Sequence, residues 1–343
     1  MKSVFALVAG ALLLPAWGAA ADAGLEGLRE AGRLSAVTAR PAWREVETID
    51  WSNVPAVELR LHPQRSVAPG QDASAAIRGR LRAVSDGKRL ALRVDWPDLG
   101  ADHYSTSHTD RFADALAIQF VADHDNTLPY IGMGEPDRPV RLWFWRAGRD
   151  PETLEARGFG TLEATGATPP RVAAQRTGDG WSVVLSGLLP TAANPLPVAL
   201  AVWDGAEGGR DGRKHLSAWH LLHLTERAVD RTRLKALAEE SRYSGGDPER
   251  GGRLAREQAC TACHRLPGHA APLAEAGPDL TGAGALHWPG YLRRAIADPS
   301  AFIVPGKAYA AVDQGGRRAS LMPALSLTSQ QIEDLAAFLS QGR

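Results

Sequence analysis

Gly245–His264 reads GGDPERGGRLAREQACTACH, and its last five residues decide the architecture of the C-terminal part of the chain. Cys260, Cys263 and His264 form Cys-x-x-Cys-His. At this spacing two thiols on a helical turn both reach porphyrin vinyl groups as thioethers, and the next residue projects to the iron. No other cysteine occurs in 343 residues. A disulfide closing so short a loop would constrain little of the unfolded chain. With 2 cysteines and 10 histidines, chance alone produces the pentad about 2 times in 10,000. One covalent haem c is expected, held by Cys260 and Cys263 with His264 as proximal iron ligand.

Outward from this site the chain is helix-compatible. Pro248–Ala259 leads into the attachment site. Trp288–Ala297 places Pro289 in a first helical turn. Thr328 and Gln331 form a capping box ahead of Ile332, Leu335, Ala336 and Leu339 on one face. A sixth iron ligand is wanted. The methionines are Met1, Met133 and Met322. Met322, beside Pro323 on a loop, offers a soft thioether that suits haem iron; the other reading is a methionine filling core space.

These segments resemble small class I cytochromes c: Gly245–His264 their N-terminal helix and attachment site, Gly277-Pro278-Asp279-Leu280 the proximal packing segment, and Leu321-Met322-Pro323 the distal ligand loop. The resemblance implies an all-α cytochrome c domain over residues 245–343 with Met322 as the second axial ligand.

Upstream the period changes from helix to strand. Val57, Leu59 and Leu61 alternate with polar residues, as do Ile77, Leu81 and Ala83. Asp86-Gly87 then turns into Leu90, Leu92, Val94 and Trp96. Leu116–Phe120, Val140–Trp145, Trp181–Leu185, Val198–Trp203 and Ala218–Leu224 continue the series. Many short strands with Gly/Pro turns predict an antiparallel β-sandwich over residues 24–229. Residues 230–244, charged and helix-prone, read as a solvated connector.

Two segments of the sandwich, Tyr130–Gly134 with Val140–Trp145 and Trp203-Asp204-Gly205 through Lys214 to Ser217–Leu221, resemble the haem b-binding γ subunits of periplasmic molybdenum enzymes. That family includes the ethylbenzene, dimethyl sulfide, chlorate and selenate oxidoreductases. Phe112–Phe120 resembles the strand ahead of its methionine loop. The resemblance implies one non-covalent haem b with Met133 and Lys214 as axial ligands, and partners comprising a molybdopterin catalytic subunit, an iron–sulfur subunit and a soluble redox carrier. The residues add their own weight. Lysine is scarce beside abundant arginine, and only lysine can offer a deprotonated amine. The alternative for Met133 is a packed loop residue, and for Lys214 a solvated charge. His103, His108, His124, His215, His220 and His223 are rival ligands near the same segments.

Lys2, the apolar run Val4–Leu14 and small residues from Gly18 to Ala23 read as a signal peptide over residues 1–23, and imply an exported, periplasmic protein. No later run is long enough to span a bilayer. Lys+Arg and Asp+Glu are both 39, a balance that argues against a nucleic-acid partner. GxxxxGK[ST], HExxH and GxSxG are absent. The expected function is an electron-transfer subunit that makes no bonds itself. The alternatives are a monohaem cytochrome c tethered to a carbohydrate-binding sandwich, and a small redox enzyme acting at an open haem, against which Met322 speaks.

Overall fold

The computed structural model describes residues 17–67, 75–98, 100, 112–121, 127–242, 245–270, 276–304, 309–312 and 318–341, with side chains from residue 23. The run Val4–Leu14 and His103, His108 and His124 lie outside them. In chain order the elements are α1 (Trp17–Glu30), β1 (Leu34–Ala39), β2 (Val57–Pro63), β3 (Ile77–Ser85), β4 (Arg89–Pro97), β5 (Ala115–Val121), β6 (Val140–Arg146), β7 (Glu152–Ala156), β8 (Glu163–Ala164), β9 (Arg171–Arg176), β10 (Gly180–Leu188), β11 (Leu196–Trp203), β12 (His215–Leu216) and β13 (His220–Leu224). After them come α2 (Arg231–Ser241), α3 (Pro248–Glu257), α4 (Ala283–Leu286), α5 (Pro289–Ala297), β14 (Ala310–Val312), β15 (Arg318–Ser320) and α6 (Ser329–Leu339).

The strands form two facing sheets. One runs β2-β3-β4-β10-β9 and the other β8-β7-β6-β5-β11, with β13 and β12 on β11, and β12 also pairs with β2 to join the two into one hydrogen-bonded series. Both ladders are antiparallel, and Gly87, at φ 85°, makes the β3–β4 turn. Alternate residues of both sheets meet in the middle, where Leu81, Leu92, Val94, Ile118, Phe120, Trp143, Val183 and Leu200 form the core. β1 departs from the expected pattern. It pairs in parallel with β13 and with β3, and so ties one sheet to the other.

β5 is buried on both faces. Leu116, Ile118 and Phe120 face the inter-sheet core. Ala117 and Val121 face a second cluster built from Leu25 and Leu28 of α1, Leu234 and Leu237 of α2, and Leu286 and Trp288 of the C-terminal part. The segment expected to be a solvated connector is therefore a packed strut. Arg233 and Glu240 of α2 are buried, and Glu240 pairs with Arg294. α1 likewise runs through the expected end of the signal peptide into the core.

The C-terminal domain packs α3 across α6. Asp247 caps α3, and Thr328 with Gln331 makes the capping box of α6. Gly251 allows the close crossing: a Cβ there would lie 2.0 Å from the Asp334 carbonyl oxygen. Arg250 clamps Asp334 with Nε and Nη2 contacts of 2.8 Å. A short β14–β15 hairpin interrupts the otherwise helical domain.

Candidate haem-binding sites

The α3 helix ends at Glu257, and Ala259 at φ 53° turns the chain into the 3-10 turn Cys260–Ala262. The His264 amide donates to the Cys260 carbonyl over 2.9 Å, which places both thiols and the imidazole on one short turn. Both cysteines are free thiols. The Gly277–Pro278 segment cradles the imidazole. His264 Nδ1 contacts the Pro278 carbonyl at 2.9 Å, and a Cβ on Gly277 would lie 2.4 Å from the ring. Engaging Nδ1 leaves Nε2 for iron. Burial pushes the imidazole below its ordinary pKa, opposed by that hydrogen bond, and a neutral ring is the form that ligates.

Cys260, Cys263, His264 and Met322 line one cavity of about 500 Å³. The Met322 amide donates to Ser320 Oγ over 3.1 Å, which ties the ligand loop to the β14–β15 hairpin. The residues fit a covalent haem: two thiols, a prepared imidazole and a thioether around one apolar space. The sandwich closes the cavity from outside, for His62, Arg65 and Tyr130 share its wall.

Met133 sits in the turn Tyr130–Gly134 with φ 72°, a left-handed conformation. For a residue with a Cβ that conformation costs about 1–3 kcal/mol, and such strain clusters at functional sites. Buried Glu135 fixes the turn by accepting from the Tyr130 amide over 2.7 Å and pairing with Arg138. Lys214 is 4% exposed, so it is not a solvated charge. Its Nζ lies 5.0 Å from the Trp203 ring and 5.3 Å from the Phe159 ring. Burial lowers its pKa to about 8, against the opposing pull of Asp211. Phe159 also adjoins the methionine turn. The Gly158 amide donates to the Met133 carbonyl over 2.8 Å, and a Cβ on Gly132 would lie 2.9 Å from the Phe159 ring. Phe159 thus packs beside the Lys214 amine and against the backbone of the methionine turn, and a half-buried thioether with an amine shifted toward its neutral form is a donor set that fits haem iron.

Two of the rival histidines, His215 and His220, have structural partners. His220 Nε2 meets Ser35 Oγ at 2.7 Å, and burial lowers its pKa to about 4. His215 Nε2 meets the Ala75 carbonyl at 3.0 Å.

An aromatic series joins the two sites. Phe159 lies 6.3 Å from Tyr130, and Tyr130 lies 5.0 Å from Phe302 and 5.5 Å from His287 between ring centroids. His287 stacks on Tyr291 at 4.3 Å. Tyr130, His287, Tyr291 and Phe302 all line the cavity of the cysteines. In the sequence Tyr130 stands in the Tyr130–Gly134 segment with no role of its own, and nothing there singles out the other four rings. No local pattern marks the series, because the domain contact brings Tyr130 onto His287, Tyr291 and Phe302.

Residues 48–180 match the ethylbenzene dehydrogenase family model and residues 248–343 the cytochrome c family model. A Haloferax mediterranei protein named for the heme subunit of a respiratory nitrate reductase is 32% identical over 179 residues, 50% of this chain and 64% of its own length. The chlorate reductase subunit gamma of Ideonella dechloratans is 38% identical over 152 residues, 41% of this chain and 62% of its own. The dimethylsulfide dehydrogenase subunit gamma of Rhodovulum sulfidophilum is 29% identical over 208 residues, 53% of this chain and 76% of its own. The matches thus span less than two thirds of the first two relatives. A family 9 carbohydrate-binding module of Caldicellulosiruptor kristjanssonii solved with glucose aligns with 58% of this chain and 98% of its own at 13% identity, but its TM-score of 0.34 bears on neither fold nor ligand. The chain therefore joins a region that matches the ethylbenzene dehydrogenase family model and is similar to these gamma subunits to a region that matches the cytochrome c family model.

Proposed function

We propose that the chain is a periplasmic electron-transfer subunit holding one haem b in the sandwich and one haem c in the C-terminal domain. In this reading it connects the molybdopterin and iron–sulfur subunits of an oxidoreductase with a soluble carrier. Each haem would supply a one-electron iron couple. Cys260 and Cys263 would anchor the haem c, with His264 and Met322 holding its iron. Met133 and Lys214 would hold the iron of the haem b.

The observation that carries the reading is the aromatic contact between the sites. Tyr130 belongs to the Met133 turn and also to the wall of the cysteine cavity. A sandwich that merely tethered a cytochrome would need no such shared wall. The signal-like N-terminus supports export. Among the described residues no helix is long and apolar enough to cross a membrane.

A pyridine haemochrome spectrum of the purified chain tests the proposal. One b and one c haem per chain is the expected result; a c spectrum alone rejects the two-haem reading. Affinity purification from the native host should bring down a molybdopterin subunit, and its consistent absence would remove the proposed partner.

A further inference from the structure

The end of the sandwich beside Trp203 holds three aspartates that the haem sites do not use. Asp98 follows β4, Asp114 precedes β5 and Asp204 follows β11. Trp203 pairs with Ala115 in the ladder, so Asp114 and Asp204 are neighbours at one sheet end, and Asp98 reaches them from the facing sheet. One carboxylate oxygen of each lies within 4.8 Å of the other two. Asp98 and Asp114 are buried, and Asp204 is half-buried.

Asp114 accepts from Trp181 Nε1 and from the Gly205 amide, each over 2.9 Å. Asp204 accepts from the Glu207 amide over 3.0 Å. Asp98 Oδ1 accepts from the Gly100 amide over 3.0 Å and faces Arg176 at 3.4 Å. The second, independent observation is the other oxygen of Asp98. The side chain is 1% exposed, yet Oδ2 is buried with no hydrogen-bond partner. A buried carboxylate oxygen without a donor wants a cation or a proton.

We propose that Asp98, Asp114 and Asp204 bind a calcium ion that pins the two sheets and the Gly-rich 204–213 loop together. All-oxygen ligation from carboxylates selects a hard divalent cation. Calcium tolerates the irregular geometry of a loop site better than magnesium, which demands a near-ideal octahedron. Burial, and then the charges of Asp114 and Asp204, raise the Asp98 pKa to about 7. The site lies outside the haem ligand sets, and the loop it anchors runs directly into Lys214.

Calcium titration of the chelator-washed full-length protein tests the proposal, with calcium chloride as the probe in excess magnesium. One saturable site with a dissociation constant below about 1 mM is expected, the range of extracellular calcium modules, together with a rise in thermal midpoint. Asp98→Asn and Asp204→Asn, which keep side-chain size, should each weaken calcium binding at least about tenfold and leave the c-haem spectrum unchanged. Absence of saturable binding by the unsubstituted chain overturns the proposal. So does wild-type affinity in both variants. If Asp98→Asn raises the thermal midpoint and calcium moves neither protein, Asp98 carries a shared proton and not a metal ion. Should either variant misfold, calcium content of the unsubstituted protein after dialysis decides: one ion per chain supports the site and none rejects it. The haem count can fail without touching this result.

Discussion

The two candidate haem sites differ in how they are written into the chain. At the C-terminal site Cys260, Cys263 and His264 fall within five residues, and one turn brings them together. In the sandwich Met133 and Lys214 come from turns at different strands, and only the folded sheet packs Met133, Phe159 and Trp203 against one cluster with the Lys214 amine over both rings. A covalent group needs its attachment chemistry presented before folding is complete, which favours a local motif. A non-covalent group can be caught by a finished fold, so its ligands can be scattered. The comparison teaches that the strict motif belongs to the attachment chemistry, while the scattered pair depends on topology.

The largest effect should come from breaking the local site. Cys260→Ser with Cys263→Ser should abolish the haem signal that survives on a denaturing gel. Met133 and Lys214 lie in a different domain, so any b-type absorbance should persist. Loss of both signals would show that the sandwich folds only around a completed cytochrome domain.

Next in size is the scattered site. Lys214→Arg keeps the charge and most of the length but removes the deprotonatable amine. It should eliminate the low-spin b spectrum and leave the c spectrum intact, as should Met133→Ala. A b spectrum unchanged in either variant would reject that residue as a ligand. Lys214→Met is the sharpening partner: it supplies a thioether in place of an amine, so retention of a low-spin haem with an altered Soret band would support iron coordination at this position.

The same contrast explains what was legible in the sequence. The Cys260–His264 pentad and the capping box of α6 state their chemistry in adjacent residues, and both appear in the fold where expected. β3 and β4 were readable because their apolar residues alternate about an Asp-Gly turn. β7 and β9, ETLEA and RVAAQR, were not, because edge-side strands carry polar residues and little pattern. β1 and α1 were hidden by long-range pairing and by the signal-like N-terminus. The charges of α2 suggested solvent, yet Arg233 and Glu240 are buried at a domain contact that only tertiary packing creates. The contact of Tyr130 with His287 and Tyr291 has no sequence signature at all.

That domain contact is the third test. Trp288 is 2% exposed, and its Nε1 donates to the Trp219 carbonyl over 3.0 Å. Arg33 stands over its ring at 5.4 Å. Trp288→Ala should remove about 3–5 kcal/mol, the range for emptying a buried aromatic site. Chemical denaturation followed at the c haem and by sandwich tryptophan fluorescence should then change from one transition to two. Coincident transitions in the variant would mean that other contacts couple the domains.

The smallest effect isolates one ring of the aromatic series. His287 is half-buried between Tyr130 and Tyr291, and the burial it has lowers its pKa to about 3, from the ordinary 6.5. The unfolded chain therefore binds a proton that the folded chain refuses between those two values. By linkage, stability contributed at this position falls as the pH drops from about 6.5 toward 3 and is flat above that window. His287→Phe keeps an aromatic ring and has nothing to protonate. Urea midpoints of the two proteins at pH 7.5 and pH 5 should show a smaller acid loss in the variant. Equal losses would mean that His287 escapes its pocket on protonation, and that the contact between the domains opens in acid at little cost.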